Sequence, residues 1–252
     1  MTVSSLSCVY WWRLGLINYR SALKLQEQLV EKAKSSVSSG EPVTNVVLSV
    51  EHYPVYTTGI RTKGYTRQEE TVLKNLGADF VRTNRGGLIT FHGPGQLVVY
   101  PVLNLRQFVP ATSRRKAALG MKWYINSLEQ VVIDGLDRFG LRGSRSEHTG
   151  VWIGEEKVCA MGVASSNMVT SHGLAINCDV DMRWYRHIVP CGIEDKGVTS
   201  MSRQLGRGVG VEEMECVIRE QMGRQFGCEM IEVDDWFRNY ITEITGEEMP
   251  QN

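Results

Sequence analysis

Two residues in this chain have types and settings suited to covalent chemistry. Cys191 stands in His187-Ile188-Val189-Pro190-Cys191-Gly192-Ile193. Pro190 fixes the backbone before the thiol and Gly192 leaves the space after it open, which suits a rigidly presented nucleophile. The plain alternative is a small buried thiol, the commoner fate of a cysteine, and the setting alone leaves the two even. Lys157 leaves the turn Gly154-Glu155-Glu156 and enters the apolar run Val158 to Val163. A turn lysine is usually solvated. The chemical alternative is an amine or ammonium working beside a nucleophile.

The densest glycine signal is Arg85-Gly86-Gly87-Leu88-Ile89-Thr90-Phe91-His92-Gly93-Pro94-Gly95-Gln96. Glycines are costly inside a strand or helix, and they fit where backbone turns sharply or approaches a ligand. Arg85 offers a planar fork for an anionic or carbonyl group, and His92 is the proton-handling candidate there. A ligand-free glycine-rich hairpin is the alternative. The Lys-Ser/Thr ending of a P-loop is missing. A further segment, Ser171-His172-Gly173-Leu174-Ala175-Ile176-Asn177, puts small residues and a histidine at a strand start. No Cys-x-x-Cys or His-x-x-x-His pair is present, so neither a metal nor a cofactor is expected.

These segments need a scaffold. Ala22, Leu25, Leu29 and Ala33 share one face at helical spacing, predicting a helix over 20–34 and a polar break over 35–42. Short apolar runs predict strands at 46–50, 80–83 and 174–178. Gln96 to Leu105 reads as strand, with Pro101 limiting central pairing. Residues 114–139 carry the longest helical signal, with Gly140 as its cap. Val151–Ile153 and 158–163 flank Gly154-Glu155-Glu156-Lys157 as a hairpin, and Val211 to Phe226 returns to helix. The expectation is one α/β (α+β) domain, a mixed sheet with packed helices.

The chain has 252 residues, and its 28 Lys plus Arg balance 28 Asp plus Glu. Zero net charge argues against a dedicated nucleic-acid binder, and no apolar run approaches a membrane span. The six cysteines do not read as a disulfide framework, so the thiols are taken as reduced. The segment 1–12 lacks a secretory signal pattern. It is read as a short targeting or disordered segment, 13–240 as the catalytic domain, and 241–252 as a tail.

Taken in order, "RGGLITFHGPGQLVVYPVLNL", "TGVWIGEEKVCAMGV", "SHGLAINC" and "HIVPCG" resemble the motifs of the octanoyltransferase family of lipoate biosynthesis, over roughly Gly15 to Leu205. "VYTTGIR", "HIVPCGI" and "GVTSMS" resemble its animal, mitochondrial branch. The resemblance implies a biotin/lipoate protein ligase-like fold with a curved mixed sheet. It implies transfer of an octanoyl group from octanoyl-acyl carrier protein to a lysine of lipoyl domains, such as those of the glycine-cleavage H protein and 2-oxoacid dehydrogenase subunits. It also implies a mitochondrial matrix address and, with no nucleic acid or membrane involved, a monomer.

Carried over by motif, Cys191 corresponds to the acyl-thioester nucleophile and Lys157 to its partner. Arg85, Gly86, Gly87, Leu88, Ile89, Thr90, Phe91 and His92 correspond to acyl-site residues, as do Ala160, Met161, Gly162, Gly173, Leu174 and Ala175. Phe91 stands where many relatives carry tyrosine. Backbone N–H groups near Cys191 and Gly192 are expected to hold the oxyanion. Arg61, Lys63 and Arg67, and Arg114, Arg115 and Lys116, are candidates for steering acidic protein substrates. The rival readings are an ATP-dependent lipoate–protein ligase, a lipoyl amidotransferase of the same fold, a non-catalytic binder of the same partners, and a cysteine hydrolase.

Overall fold

The computed structural model describes residues 7–61, 65–108, 120–193 and 196–245. Lys63, Arg114, Arg115, Lys116 and the first turns of the helix expected from 114 lie outside the described residues, as does the Cys191 side chain. The chain runs β1 (Ser7–Ile17), α1 (Tyr19–Ser39), β2 (Asn45–His52), β3 (Val55–Thr58), α2 (Arg67–Asn75), β4 (Asp79–Arg82), β5 (Thr90–His92) and β6 (Gln96–Val102). It continues through α3 (Met121–Asp137), β7 (Val151–Ile153), β8 (Glu156–Ser166), β9 (Val169–Asn177), β10 (Gly197–Val198), α4 (Met201–Leu205), α5 (Val211–Phe226), β11 (Cys228–Glu232) and α6 (Asp235–Thr245).

A mixed sheet in the order β10-β8-β9-β6-β2-β1-β11, with β7 beside β8, forms the middle layer. Alternation along its strands feeds two cores. Trp11 and Val47 join Leu128, Val132, Met214 and Ile218 under α3 and α5. Trp12, Val46 and Leu48 join Leu25, Leu29, Phe237 and Ile241 under α1 and α6. A small sheet, β4-β3-β5, carries α2 and a third core around Tyr56, Phe80, Phe91 and Tyr185. Among the described residues, no helix is long and apolar enough to cross a membrane.

Several sequence expectations shift. The helix α1 runs through the expected break and stops at Gly40, whose φ of 76° is left-handed; Ser38 and Ser39 bond back to the carbonyls of Lys34 and Ser36. Pro101 sits in a central strand after all, opposite Val47. Its carbonyl accepts from the Thr170 hydroxyl at 2.7 Å on the β9 side. Its missing N–H faces that same side, beyond the last β6–β9 pair at Val99 and Leu174, so no ladder bond is lost. Residues 7–12 are the start of β1, with Trp11 and Trp12 buried, and 241–245 are the last turn of α6, with Ile241 buried. Both expected domain boundaries therefore cut through an element.

Candidate active site

Between β5 and the β8–β9 hairpin lies a narrow cavity of about 430 Å³, its open mouth included, in which water can be centred over only about 40 Å³. The slot is therefore narrow, with room for only a few waters along it. Arg85, Gly87, Leu88, Thr90 and His92 line one side, and Ala160, Met161, Gly162, Gly173, Leu174 and Ala175 the other.

The run Arg85–His92 is interrupted. Gly86 is turned to β8, its N–H donating to the Val163 carbonyl at 3.1 Å. Ile89 and Phe91 alternate away into the third core, where the Phe91 ring stacks on Trp184 with centroids 5.0 Å apart. In exchange Tyr19, Val98, Tyr100 and His172 complete the lining. Gly162 pairs with Gly173 across the hairpin. A Cβ on Gly162 would sit 2.7 Å from the Gly86 carbonyl and 3.0 Å from Arg85 Cδ, so the glycine lets the Arg85–Gly87 loop lie directly on β8.

The polar groups of the lining are held by the protein itself. Arg85 donates to the Thr57 carbonyl at 2.7 Å, the Thr57 hydroxyl at 2.9 Å and the Gly86 carbonyl at 3.0 Å. The fork expected to meet a ligand therefore fastens the glycine loop to β3. His92 Nδ1 lies 2.7 Å from Gln96 Oε1 and its Nε2 3.3 Å from the Thr57 hydroxyl. Behind it, His52 Nδ1 meets the Ile17 carbonyl at 3.1 Å and Nε2 the Tyr100 hydroxyl at 2.8 Å. His172 holds a left-handed φ of 55°, with Nε2 2.7 Å from Asn84 Oδ1 and its backbone N–H on Gln26.

Burial pushes His52 and His172 down to about 4, and holds His92 well below the usual histidine range, with the Arg85 charge adding to the effect on His92 and His172. Burial likewise raises Tyr19 to about 12 and Tyr100 further. At neutral pH the three imidazoles and two phenols are uncharged, which leaves the Arg85 guanidinium, held by Thr57 and Gly86, as the charged group of the lining.

Lys157 is 5% exposed despite its charge. The β7–β8 register slips by one between Val151↔Cys159 and Trp152↔Lys157. That bulge puts both Val158 and Cys159 in the core under α3 and α5. Alternation then sends Lys157 to the opposite face, which Ala160 shares. Its ammonium donates to the Thr149 carbonyl at 3.0 Å and lies 4.8 Å from the Trp152 ring centre. Lys196 Nζ stands 5.4 Å from the same ring.

The Pro190–Gly192 turn is tied in from both sides. Gly192 has φ 69°, and a Cβ there would run into Leu88 at the cavity rim. Downstream, β10 pairs with Glu156 and Lys157, and the Thr199 N–H donates to the Lys157 carbonyl at 3.0 Å. The segment holding Cys191 is thus anchored on Leu88 at one end and on the Lys157 strand at the other. The Gly192 N–H, expected to serve an oxyanion, donates to the Val189 carbonyl at 3.0 Å. The turn's own hydrogen bonding takes it.

The buried thiols are poor rivals. Cys159, two residues from Lys157, points into the helix-side core, and burial pushes its thiol far up. Cys178 is raised to about 12 and Cys228 to about 11 by the same cause, which makes them inert as nucleophiles. Among the described residues, no cluster of three His, Cys, Asp or Glu side chains is placed to hold a metal.

The polar wall was only partly legible in the sequence. His172 stood out as a histidine at a strand start. Tyr19, Val98 and Tyr100 carried no signal beyond ordinary strand and helix positions.

Comparison with known proteins fits this geometry. The lipoyl protein ligase A/B catalytic domain family matches residues 18–223. The mitochondrial octanoyl-[acyl-carrier-protein]:protein N-octanoyltransferase of Danio rerio is 49% identical over 215 residues, 85% of this chain and 91% of that protein. Its Xenopus tropicalis counterpart is 48% identical over 202 residues, 80% of each chain. Among solved structures, lipoate-protein ligase A bound with ATP superposes with a TM-score of 0.69 at 12% identity, covering 96% of this chain and 95% of that one. At that identity the likeness shows the fold, a mixed sheet packed by helices. The chain belongs to the lipoyl protein ligase A/B catalytic domain family and, within it, to the octanoyltransferases.

Proposed function

We propose that this protein is a mitochondrial acyltransferase that moves an octanoyl group from acyl carrier protein to a lysine of lipoyl-domain proteins through a thioester on Cys191. The observation that carries this reading is the narrow, glycine-lined slot whose wall, at Leu88, is the seat of the Pro190–Gly192 turn. The names of the relatives at 48–49% identity support the donor, the acyl group and the compartment.

In the first step the Cys191 thiolate attacks the carbonyl of the octanoyl thioester. A bond forms from Cys191 sulfur to the acyl carbon, the carrier's carbon–sulfur bond breaks, and the phosphopantetheine sulfur leaves as a thiolate that takes up the proton Cys191 gave up on ionising. One thioester replaces another, so the step runs without ATP. The Lys157 ammonium, with Lys196 over the same indole, favours the thiolate. The tail enters between Gly162–Gly173 and Gly87–Leu88. At ~0.8 kcal/mol per buried CH₂, six methylenes contribute about 5 kcal/mol, which sets octanoyl apart from much shorter chains. In the second step the acceptor lysine amine attacks the enzyme thioester. The carbon–nitrogen bond of the amide forms, the bond to Cys191 sulfur breaks, and the proton lost by the amine passes by way of Lys157 to the departing thiolate. The greater stability of the amide drives transfer forward.

Intact-protein mass spectrometry tests the route. Without ATP, octanoyl-acyl carrier protein should add one octanoyl group to the protein, none to Cys191→Ser, and a lipoyl domain added afterwards should remove it. No adduct without ATP, with ligation only when ATP and free octanoate are supplied, would replace this reading with an adenylating ligase.

A further inference from the structure

Next to the site, on the outside of the molecule, lies an open groove of about 1500 Å³, its open mouth included, between α2 and the stretch Arg186–Val189, where a 3-10 turn (Met182–His187) ends and leads into the Pro190–Gly192 turn. Both walls are fastened to the third core. Leu73 of α2 is buried in it, and the Tyr56 hydroxyl donates to the Trp184 carbonyl at 2.7 Å. The groove is therefore a fixed feature rather than a gap between loose loops. Its floor is apolar and exposed: Val72 is 61% and Val189 44% accessible, two of the seven large hydrophobic side chains left open to solvent among the described residues. An apolar strip of this kind marks an interaction surface.

The rim is cationic. Arg67 and Arg186 line it and are exposed. The nearby Arg183 is taken up by Asp181, and Arg82 by Glu70. Arg67 and Arg186 are in no such ion pair with a described residue. Glu69, the acid of the rim, is folded back onto the Thr66 N–H and hydroxyl at 2.7 and 2.8 Å, closing the α2 capping box. Its charge is thereby directed at the helix N-terminus.

We infer that this groove is the docking surface for the acyl donor, an acidic carrier protein bearing a phosphopantetheine arm, and not for the lysine acceptor. The inference rests on the octanoyltransferase reading above. Charge and geometry favour the donor. An acidic helix edge with apolar side chains complements an apolar floor between two guanidinium groups. The phosphodiester at the root of the arm adds a negative charge that the acceptor lacks. The groove ends at Val189, two residues before Cys191 in the chain, so an arm rooted there starts beside the Pro190–Gly192 turn.

Single-turnover acylation of the full chain, followed by intact mass, tests this. The double variant Arg67→Glu with Arg186→Glu should be acylated by octanoyl-acyl carrier protein about tenfold more slowly, with a flattened salt dependence. Val72→Ser should slow the same reaction without changing its salt dependence. Acylation by octanoyl-pantetheine, which has neither protein nor phosphate, should stay within about twofold, as should transfer from the acylated enzyme to a lipoyl domain. An unchanged rate with the carrier protein overturns the inference. So does an equal loss with octanoyl-pantetheine, or a loss confined to the lipoyl-domain step, which would assign the groove to the acceptor. A wild-type protein acylated by neither donor fails at the function reading, and is recognised before any variant is compared.

Discussion

The wall of the cavity and its rim are built on opposite plans. The wall comes from β5, β6, β8, β9 and the first turn of α1, and its polar side chains are tied to each other or to backbone: Arg85 to Thr57, His92 to Gln96, His52 to Tyr100, His172 to Asn84. All its imidazoles are kept neutral. The rim at Leu88 seats the turn at Pro190–Gly192, and the strand that β10 joins just after that turn carries the buried charge of Lys157. Strand ladders fix a shape to within a side chain, which a chain-length ruler needs. A turn leaves room for two large substrates to approach one sulfur in succession. On the route proposed above, specificity and chemistry fall on elements with different stiffness.

Removing the Lys157 charge should have the largest effect. Lys157→Met is expected to slow octanoyl transfer by roughly 10²–10³-fold, the usual contribution of a positioned proton-transfer group. Steady-state transfer to a lipoyl domain measures it. The unpaired Thr149 carbonyl should also lower stability by about 1–3 kcal/mol, so denaturant unfolding is run alongside. Transfer at the wild-type rate would remove Lys157 from the chemistry and leave it as a structural anchor.

The wall should show itself in stability against pH. His52 and His172 are lowered to about 4 from 6.5. Above about 6.5 both folded and unfolded forms are neutral and no penalty exists. As pH falls from about 6.5 to about 4, the unfolded chain binds protons that the folded one refuses, and stability is lost; below about 4 the loss levels off. Each histidine accounts for about 3 kcal/mol at most. Chemical denaturation of wild type and His52→Gln at pH 7 and pH 4.5 checks this. The variant should be less sensitive to acid, and equal acid sensitivity would contradict a neutral, buried His52.

The smallest effect is a change of shape. Gly162→Val puts atoms where Gly86 and Arg85 already lie. It should cost about 1–3 kcal/mol through displacement of the Arg85–Gly87 loop and tilt the preference from octanoyl toward hexanoyl thioesters. Competition between the two donors reads that ratio. An unchanged ratio would mean that the tail does not run beside the glycine loop where it packs on β8.

How far each region could be read from sequence follows the same division. The rim is local: Pro190-Cys191-Gly192 and the Lys157 turn stand out as candidates within a few residues, though their settings alone leave a buried thiol and a solvated lysine open, and the glycine run 85–95 marks a close approach of backbone. The wall is not local. Tyr19 reads as the start of a helix and Tyr100 as an ordinary strand aromatic, and both reach the cavity only because β6 lies next to β9 and α1 crosses that face. Ile89 and Phe91 share the motif with Leu88 and Thr90, but strand alternation sends them into another core. The face Lys157 takes depends on a one-residue bulge in β7–β8, and such a slip leaves no mark in the composition of either strand.

By itself the amino-acid sequence determined the domain class, the main helices and the glycine-lined approach, and it singled out Cys191 and Lys157 as candidates. These depend on residue type, spacing and local backbone preference, which are properties of short stretches of chain. Tertiary structure alone decided that the slot is narrow, that its histidines and tyrosines are uncharged, that Arg85 fastens a loop, that the Gly192 N–H is already bonded, and that Cys159 is hidden on the helix side while Lys157 takes the opposite face of the sheet. Each of those depends on which strands are neighbours and on how they are registered. Those are long-range pairings, and their free energy is shared by residues far apart in the chain.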